Sequence, residues 1–244
     1  MTIQENYFRV HREIEKCARN AGRDPHSITL VCVSKGQSPQ AIQTLYDLGV
    51  RDFGENRVGE ALTKQKLLPS DIRWHFIGTL QSNKVNKVVG HFSLIHSVDS
   101  LSLAQKISET ALQHSVEQSV LIQVNVSGES TKHGFTREFL VDHFLEIALL
   151  PQIRVQGLMT MAPRYIQHSP SEEENVRRVF AGLAQLQKEI QKKYPIEGAL
   201  CTELSMGMSQ DFTLAIYEGA TLIRVGGAIF SSAGALPRTP AKGA

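Results

Sequence analysis

The sequence predicts an α/β fold: a parallel (β/α)8 barrel of the TIM type with an extra helix at its N-terminus. Three observations carry that prediction. Short apolar, β-branched runs alternate with amphipathic helical patterns from residue 28 onward, as expected of a parallel sheet covered by helices. Eight such runs occur, the number that closes a barrel. The length of 244 residues suits one barrel domain, so residues 1–244 are expected to form a single domain.

Ile3, Tyr7, Val10, Ile14, Cys17 and Ala21 recur every three or four residues, so residues 1–22 form a leading helix that stops at Gly22. Ile28-Thr29-Leu30-Val31-Cys32-Val33 is almost continuously apolar, as a strand buried on both faces should be. With this first strand at 28–34, the others are expected at 51–54, 73–77, 93–98, 118–126, 153–160, 200–206 and 221–226. Helices fill the intervals, with Ser82 as the cap of the one after the third strand. The clearest helix carries Val176, Val179, Phe180, Leu183, Leu186 and Ile190. Ser169-Pro170-Ser171-Glu172-Glu173-Glu174 starts it with a cap, a first-turn proline and acids matched to the helix dipole. The last strand precedes only Ala228-Ile229-Phe230 and a Pro/Gly/Ala-rich segment, 231–244, expected to be a flexible tail. The leading helix is therefore expected to cover the face that an eighth helix would take. An open doubly wound sheet is the alternative, but no GxGxxG follows an early strand.

Composition narrows the function. Twenty-six Lys+Arg against 24 Asp+Glu make a near-neutral chain with no basic stripe to attract nucleic acid. Cys17, Cys32 and Cys201 lie far apart, with no CxxC and no metal-ligand spacing, and the first two fall on apolar positions. Met1-Thr2-Ile3-Gln4-Glu5 carries an acid where a signal peptide would carry basic residues, and no stretch approaches a membrane span. The expectation is a reduced, cytoplasmic protein with no metal, nucleic-acid or membrane partner.

In a parallel barrel all strand C-termini open onto one face, where the chemistry is placed. The first strand ends at Ser34-Lys35-Gly36. A lysine desolvated there favours its neutral amine, the form that adds to a carbonyl to give a Schiff base. The second ends at Gly54-Glu55-Asn56, whose amide can aim into the mouth. The third gives His75 and the string up to Lys84; His75 could act as an acid or base, though inside an apolar strand such a histidine more often orients backbone or loop groups. The seventh and eighth give Ser205-Met206-Gly207-Met208-Ser209 and Arg224-Val225-Gly226-Gly227. These are the two barrel positions where phosphate recurs. Gly207, Gly226 and Gly227 admit close backbone approach, and Ser209 is expected to cap a helix carrying Phe212, Leu214, Ala215 and Ile216. A Schiff-base lysine opposite a phosphate cradle suits a phosphorylated aldehyde, and pyridoxal 5′-phosphate is the obvious candidate. Arg224, never deprotonated, would then keep the pyridine nitrogen unprotonated and weaken the ring as an electron sink. A sugar-phosphate enzyme with Lys35 as an aldolase-type lysine also accounts for the phosphate turns.

The residues resemble a known family. Val33-Ser34-Lys35, Phe53-Gly54-Glu55-Asn56, Trp74-His75-Phe76-Ile77-Gly78-Thr79-Leu80-Gln81-Ser82-Asn83-Lys84, Leu204-Ser205-Met206-Gly207-Met208-Ser209 and Arg224-Val225-Gly226 look like the pyridoxal phosphate homeostasis proteins, single-domain relatives of the alanine racemase barrel. The HFIGxLQxNK string is the most specific of these, and the aldolase reading leaves it unexplained. The resemblance implies that Lys35 carries the cofactor as an internal aldimine, with phosphate held around Ser205, Gly207, Ser209, Gly226 and Gly227. It also implies a non-catalytic role: carrying or buffering the cofactor and keeping vitamin B6 and amino-acid pools in balance. One departure is Gly227, where the family usually has a hydroxyl residue, so lower phosphate affinity is expected.

Racemisation needs a base on each face of the bound amino acid. In the resembling racemases a tyrosine from a partner subunit's second domain is the other base. Only 14 residues follow Phe230, with no tyrosine among them. A binding protein is therefore expected, as a monomer, with pyridoxal-phosphate-dependent apoenzymes as recipients. A weak racemase using Tyr165 is the alternative.

Overall fold

The computed structural model describes residues 1–129, 133–163, 165, 169–195 and 201–231. From residue 232 on, the expected tail lies outside them, as does residue 200 of the seventh expected strand.

Eight parallel strands close a barrel in chain order. They are β1 (Thr29–Val33), β2 (Asp52–Glu55), β3 (Arg73–Phe76), β4 (Leu94–Val98), β5 (Gln118–Gln123), β6 (Ile153–Met159), β7 (Glu203–Ser205) and β8 (Leu222–Val225). Closure comes from β1, which pairs with β2 on one side and β8 on the other, Val31 lying opposite Arg224. Seven fall within the expected strands, and β2, at 52–55 rather than 51–54, is shifted by one residue. Alternation along β1 explains its apolar sequence. Val31 joins Leu94, Leu121, Met159 and Leu222 in one buried cluster, while Cys32 belongs to the larger cluster that includes Cys17 of the leading helix.

The helices are α1 (Ile3–Asn20), α2 (Pro39–Tyr46), α3 (Val58–Gln65), α4 (Leu101–His114), α5 (Arg137–Ala148), α6 (Pro170–Lys193), α7 (Phe212–Tyr217) and α8 (Gly227–Phe230). A capping box starts α1: Thr2 accepts the Glu5 N–H, and Glu5 accepts the Thr2 N–H. As expected, α6 begins with Ser169 as cap and Pro170 in first position.

With only four residues, α8 is too short to cover the barrel, and α1 packs against α8, α7 and α2 in its place. Asn6, buried on α1, donates from Nδ2 to Ile229 O (3.0 Å) and Ser231 O (3.1 Å) and so joins the two ends of the fold. The leading helix thus takes the position inferred from the sequence.

One expected helix is missing. Between β3 and β4 the chain forms a 3-10 segment, Ser82–Lys87, rather than an α-helix. Ser82 does not cap it; Gln81 holds the cap position, without a side-chain bond. Two asparagines and the β-branched Val85 and Val88 give this stretch low helix propensity. All three cysteines are buried, and burial pushes the thiols of Cys17 and Cys201 up to about 12. Among the described residues, no helix is long and apolar enough to cross a membrane.

Candidate functional site

A cavity of 540 Å³ opens at the C-terminal ends of the strands. It brings together Lys35, Asn56, Ser209, Arg224, Gly226 and Gly227 from the ends of β1, β2, β7 and β8. A second cavity of 410 Å³ lies at the N-terminal ends beside α1. There Arg19, Arg51 and Arg73 are each paired with a carboxylate, of Glu15, Asp71 and Asp52. The first cavity is therefore the better candidate for a ligand.

Lys35 sits at the corner of a turn. β1 stops at Val33, the Gln37 N–H donates to Ser34 O at 3.0 Å, and Gly36 adopts φ +71°. A type II turn needs such a left-handed third residue, hence glycine there. The side chain of Lys35 is exposed, so the desolvation expected from a place inside the strand end is not what the fold supplies.

Asn56 follows β2, and its Oδ1 is buried without a hydrogen-bond partner among the described residues. The neighbouring strand end makes room for it. A Cβ on Gly78 would lie 2.5 Å from Asn56 O and 2.9 Å from its Cα. Gly78 is a site residue that the strand-end reading misses, and its place in the HFIG string is the available signal.

Ser209 has a different task from the one expected. Asp211 holds the cap position of α7, and its Oδ1 accepts the Met208 N–H at 2.5 Å. Ser209 Oγ instead accepts the N–H groups of Gly226 (3.2 Å) and Ala228 (3.3 Å), closing the seventh loop onto the eighth. Gly226 must be glycine for a separate reason, since a Cβ would come within 2.9 Å of Val33 O. At Gly227 a Cβ would meet only Ser209 Oγ, at 3.8 Å.

Ser205 and Gly207 do not line the cavity. Gly207 has φ +90°, and a Cβ there would lie 2.6 Å from Ala215 Cβ, so it is fixed by the packing of α7. Ser205 lies one layer deeper, in a polar chain that crosses the barrel interior. Arg224 Nη1 donates to Ser205 Oγ (2.5 Å) and Nη2 to Thr160 O (3.1 Å). Ser205 Oγ is 2.8 Å from His96 Nδ1, His96 Nε2 is 2.9 Å from His75 Nδ1, and His75 Nε2 is 3.0 Å from Asp52 Oδ1.

One assignment of protons satisfies the whole chain. In it Ser205 accepts from Arg224 and gives its own hydrogen to His96 Nδ1. His96 then donates from Nε2 to His75, which donates from Nε2 to Asp52. Burial, reinforced by His75 and Arg224, holds the His96 imidazole well below its ordinary pKa. His75 bonds two side chains, His96 and Asp52, rather than the backbone or loop groups expected of it, and His96 is the member that sequence reasoning missed.

Arg224 is 5% exposed, and no carboxylate pairs with it among the described residues. Burial brings its guanidinium down to about 10, opposed by the negative field of Asp211. It stays cationic at neutral pH and is held on its far side by Ser205 and Thr160. Burial also pushes the Asp211 carboxyl up, against the Met208 N–H and Arg224. Tyr165 reaches the same cavity, nearly buried, with its hydroxyl 3.4 Å from Glu173 Oε2. Burial first, then Glu173, raises its phenol pKa, which disfavours the tyrosinate a second base would require.

Known proteins share this fold and much of this sequence. Residues 12–233 match the family described as alanine racemase, N-terminal domain. The chain is 42% identical over 231 residues to the pyridoxal phosphate homeostasis protein of Aquifex aeolicus, covering 94% of this chain and 98% of that protein. It is 40% identical over 236 residues to that of Pseudomonas aeruginosa, covering 95% and 96%. The solved structure of Synechococcus elongatus PipY with PLP bound is similar at a TM-score of 0.75 and 37% identity, covering 90% of this chain and 100% of that one. Alanine racemase of Clostridium difficile shares the fold at a TM-score of 0.69 and 18% identity, over 92% of this chain and 55% of the racemase.

Proposed function

From the chain's membership of the pyridoxal phosphate homeostasis family, within the alanine racemase N-terminal domain group, we propose that it binds pyridoxal 5′-phosphate through Lys35 and carries or buffers it without substantial catalysis. The observation that carries the reading is one cavity holding an accessible amine, a buried amide oxygen without a partner among the described residues, and a buried guanidinium at its wall.

These groups fit the cofactor. Its aldehyde gives a lysine amine a carbon to add to, with a C=N bond formed and one water released. Where the seventh loop closes onto the eighth, the N–H groups of Gly226 and Ala228 converge on Ser209 Oγ, and a phosphate oxygen that displaced this hydroxyl would meet both. Asn56 Oδ1, an acceptor that is costly to leave unpaired, has a polar ligand to meet. Arg224, fixed by Ser205 and Thr160, places a permanent cation where it opposes protonation of a ring nitrogen. Ser205 and Gly207 serve by supporting Arg224 and α7 rather than by touching the ligand. The reading extends to a monomeric, cytoplasmic, single-domain carrier that hands the cofactor to pyridoxal-phosphate-dependent apoenzymes and has no nucleic-acid or membrane partner.

One observation favours a second reading, a weak amino-acid racemase: Tyr165 shares the cavity with Lys35. Its raised phenol pKa works against that role, as does the cationic Arg224. Deuterium exchange at the α-carbon of alanine, followed by NMR with saturating cofactor, separates the two. The carrier reading predicts no exchange above that of free cofactor. Exchange with inversion, abolished by both Lys35→Ala and Tyr165→Phe, would make the protein a racemase.

A further inference from the structure

Beneath the turn that presents Lys35 lies a buried ion cluster that the cavity itself does not use. Lys64 of α3 is 5% exposed in its side chain, Glu55 at the end of β2 is 0% exposed, and Glu60 is 26% exposed. The Lys64 ammonium donates to Glu55 Oε1 (2.8 Å), Glu60 Oε1 (2.6 Å) and Ser34 O (2.9 Å). That spends all three of its protons.

The cluster grips the main chain on both sides of Lys35. Before it, Ser34 Oγ donates to Glu55 Oε1 at 2.7 Å. Ser34 O, which closes the turn by accepting the Gln37 N–H, also accepts from Lys64. After it, the Gly36 N–H donates to Glu60 Oε1 at 2.7 Å. The exposed side chain of Lys35 therefore springs from a backbone fixed at both neighbours by charge-assisted bonds, the stronger kind. A buried ion triad is a poor source of net stability, because desolvating the charges offsets their attraction. Glu55 bears the cost: burial pushes its carboxyl up despite Lys64 and Ser34, and its Oε2 has no partner among the described residues. Its better-founded use is geometric.

We propose that Glu55, Glu60 and Lys64 are positioning residues that hold the Ser34-Lys35-Gly36 turn so that the Lys35 amine meets the cofactor aldehyde. The inference deepens the function proposed above and rests on it. None of the three lines the cavity, so the cluster acts through the turn, on the rate at which the amine and aldehyde combine. It does not act on the hold over phosphate and ring. Misplacing a reacting group by about 1 Å can cost about a hundredfold in rate.

Glu60, partly exposed, is the member to change without leaving a buried charge unpaired, because Glu55 still pairs with Lys64. Two ligands separate positioning from general loss of structure. Pyridoxal 5′-phosphate can condense with Lys35, whereas pyridoxine 5′-phosphate has an alcohol in place of the aldehyde and cannot. We expect Glu60→Ala to slow development of the yellow lysine-bound absorbance at least about tenfold, with affinity for pyridoxine 5′-phosphate unchanged. Glu60→Gln keeps an acceptor oxygen for Gly36 and should stay closer to wild type. Condensation as fast in Glu60→Ala as in wild type would overturn the inference. So would equal weakening of both ligands, or a Glu60→Gln variant as slow as Glu60→Ala. Wild-type protein that binds pyridoxine 5′-phosphate yet never turns yellow with the aldehyde would refute the Lys35 reading, and this inference with it.

Discussion

Substituting Gly78 tests whether Asn56 is placed by the close approach of two strand ends. A Cβ added at residue 78 would sit 2.5 Å from Asn56 O, 2.9 Å from Cα and 3.0 Å from C, all main-chain atoms that cannot swing aside. Ordinary contact begins near 3.4 Å, so the two loops must separate by about 0.9 Å, and overpacking of this kind costs about 1–3 kcal/mol. For a chain of this length each kcal/mol lowers Tm by about 2–4 °C, so Gly78→Ala should melt about 2–12 °C below wild type. Displacing Asn56 should also weaken cofactor binding by about two- to tenfold, the value of one hydrogen bond. Gly59, exposed on α3 with nothing within 4 Å of its Cβ position, is the control. Its change to alanine should raise stability by about 0.4–1 kcal/mol through the unfolded chain. Scanning calorimetry and titration with pyridoxal phosphate measure both effects. If Gly78→Ala matches wild type in Tm and affinity, the steric account of Asn56 is wrong.

Other outcomes follow from the same geometry. Gly227→Ser should tighten cofactor binding by about two- to tenfold, because the position has space beside Ser209 and gains a hydroxyl donor; titration calorimetry that finds weaker binding would contradict this. Burial opposes ionisation of Asp52, but hydrogen bonds from His75 and Arg73 outweigh it and hold the carboxyl at about 2, below its ordinary 3.8. A depressed carboxyl stabilises the fold above its unfolded value, and that stability is lost as pH falls through the folded one. The stability gap between wild type and Asp52→Asn in urea unfolding should therefore be full above about pH 5 and close between about pH 4 and pH 2; a gap unchanged to pH 2 would contradict the sign.

Periodicity made the barrel legible, because strand and helix spacing are local properties of the chain. The misreadings lie where neighbours decide. β5 stops at Gln123 because Val124 turns to an isolated bridge with Phe135, and β7 starts late, after Cys201 at φ +68°. Within the site, Lys35, Asn56 and Arg224 were readable because a strand's C-terminal end must face the mouth. Ser205 was not, since whether an inward side chain reaches the cavity or the layer below depends on barrel depth and register. The partners of Ser209 also escaped, because they depend on how the seventh loop folds over the eighth. The cluster at Glu55, Glu60 and Lys64 joins three elements, and spacing along the chain reveals only its Glu60–Lys64 step on α3.

The identity of the reacting lysine is the most direct test of the account. Protein incubated with pyridoxal 5′-phosphate, reduced with borohydride and digested should yield a pyridoxyl adduct on the peptide carrying Lys35, and Lys35→Ala should yield none at that position. Yellow protein that is reduced with Lys35 unmodified, the adduct lying on another lysine, would contradict the account.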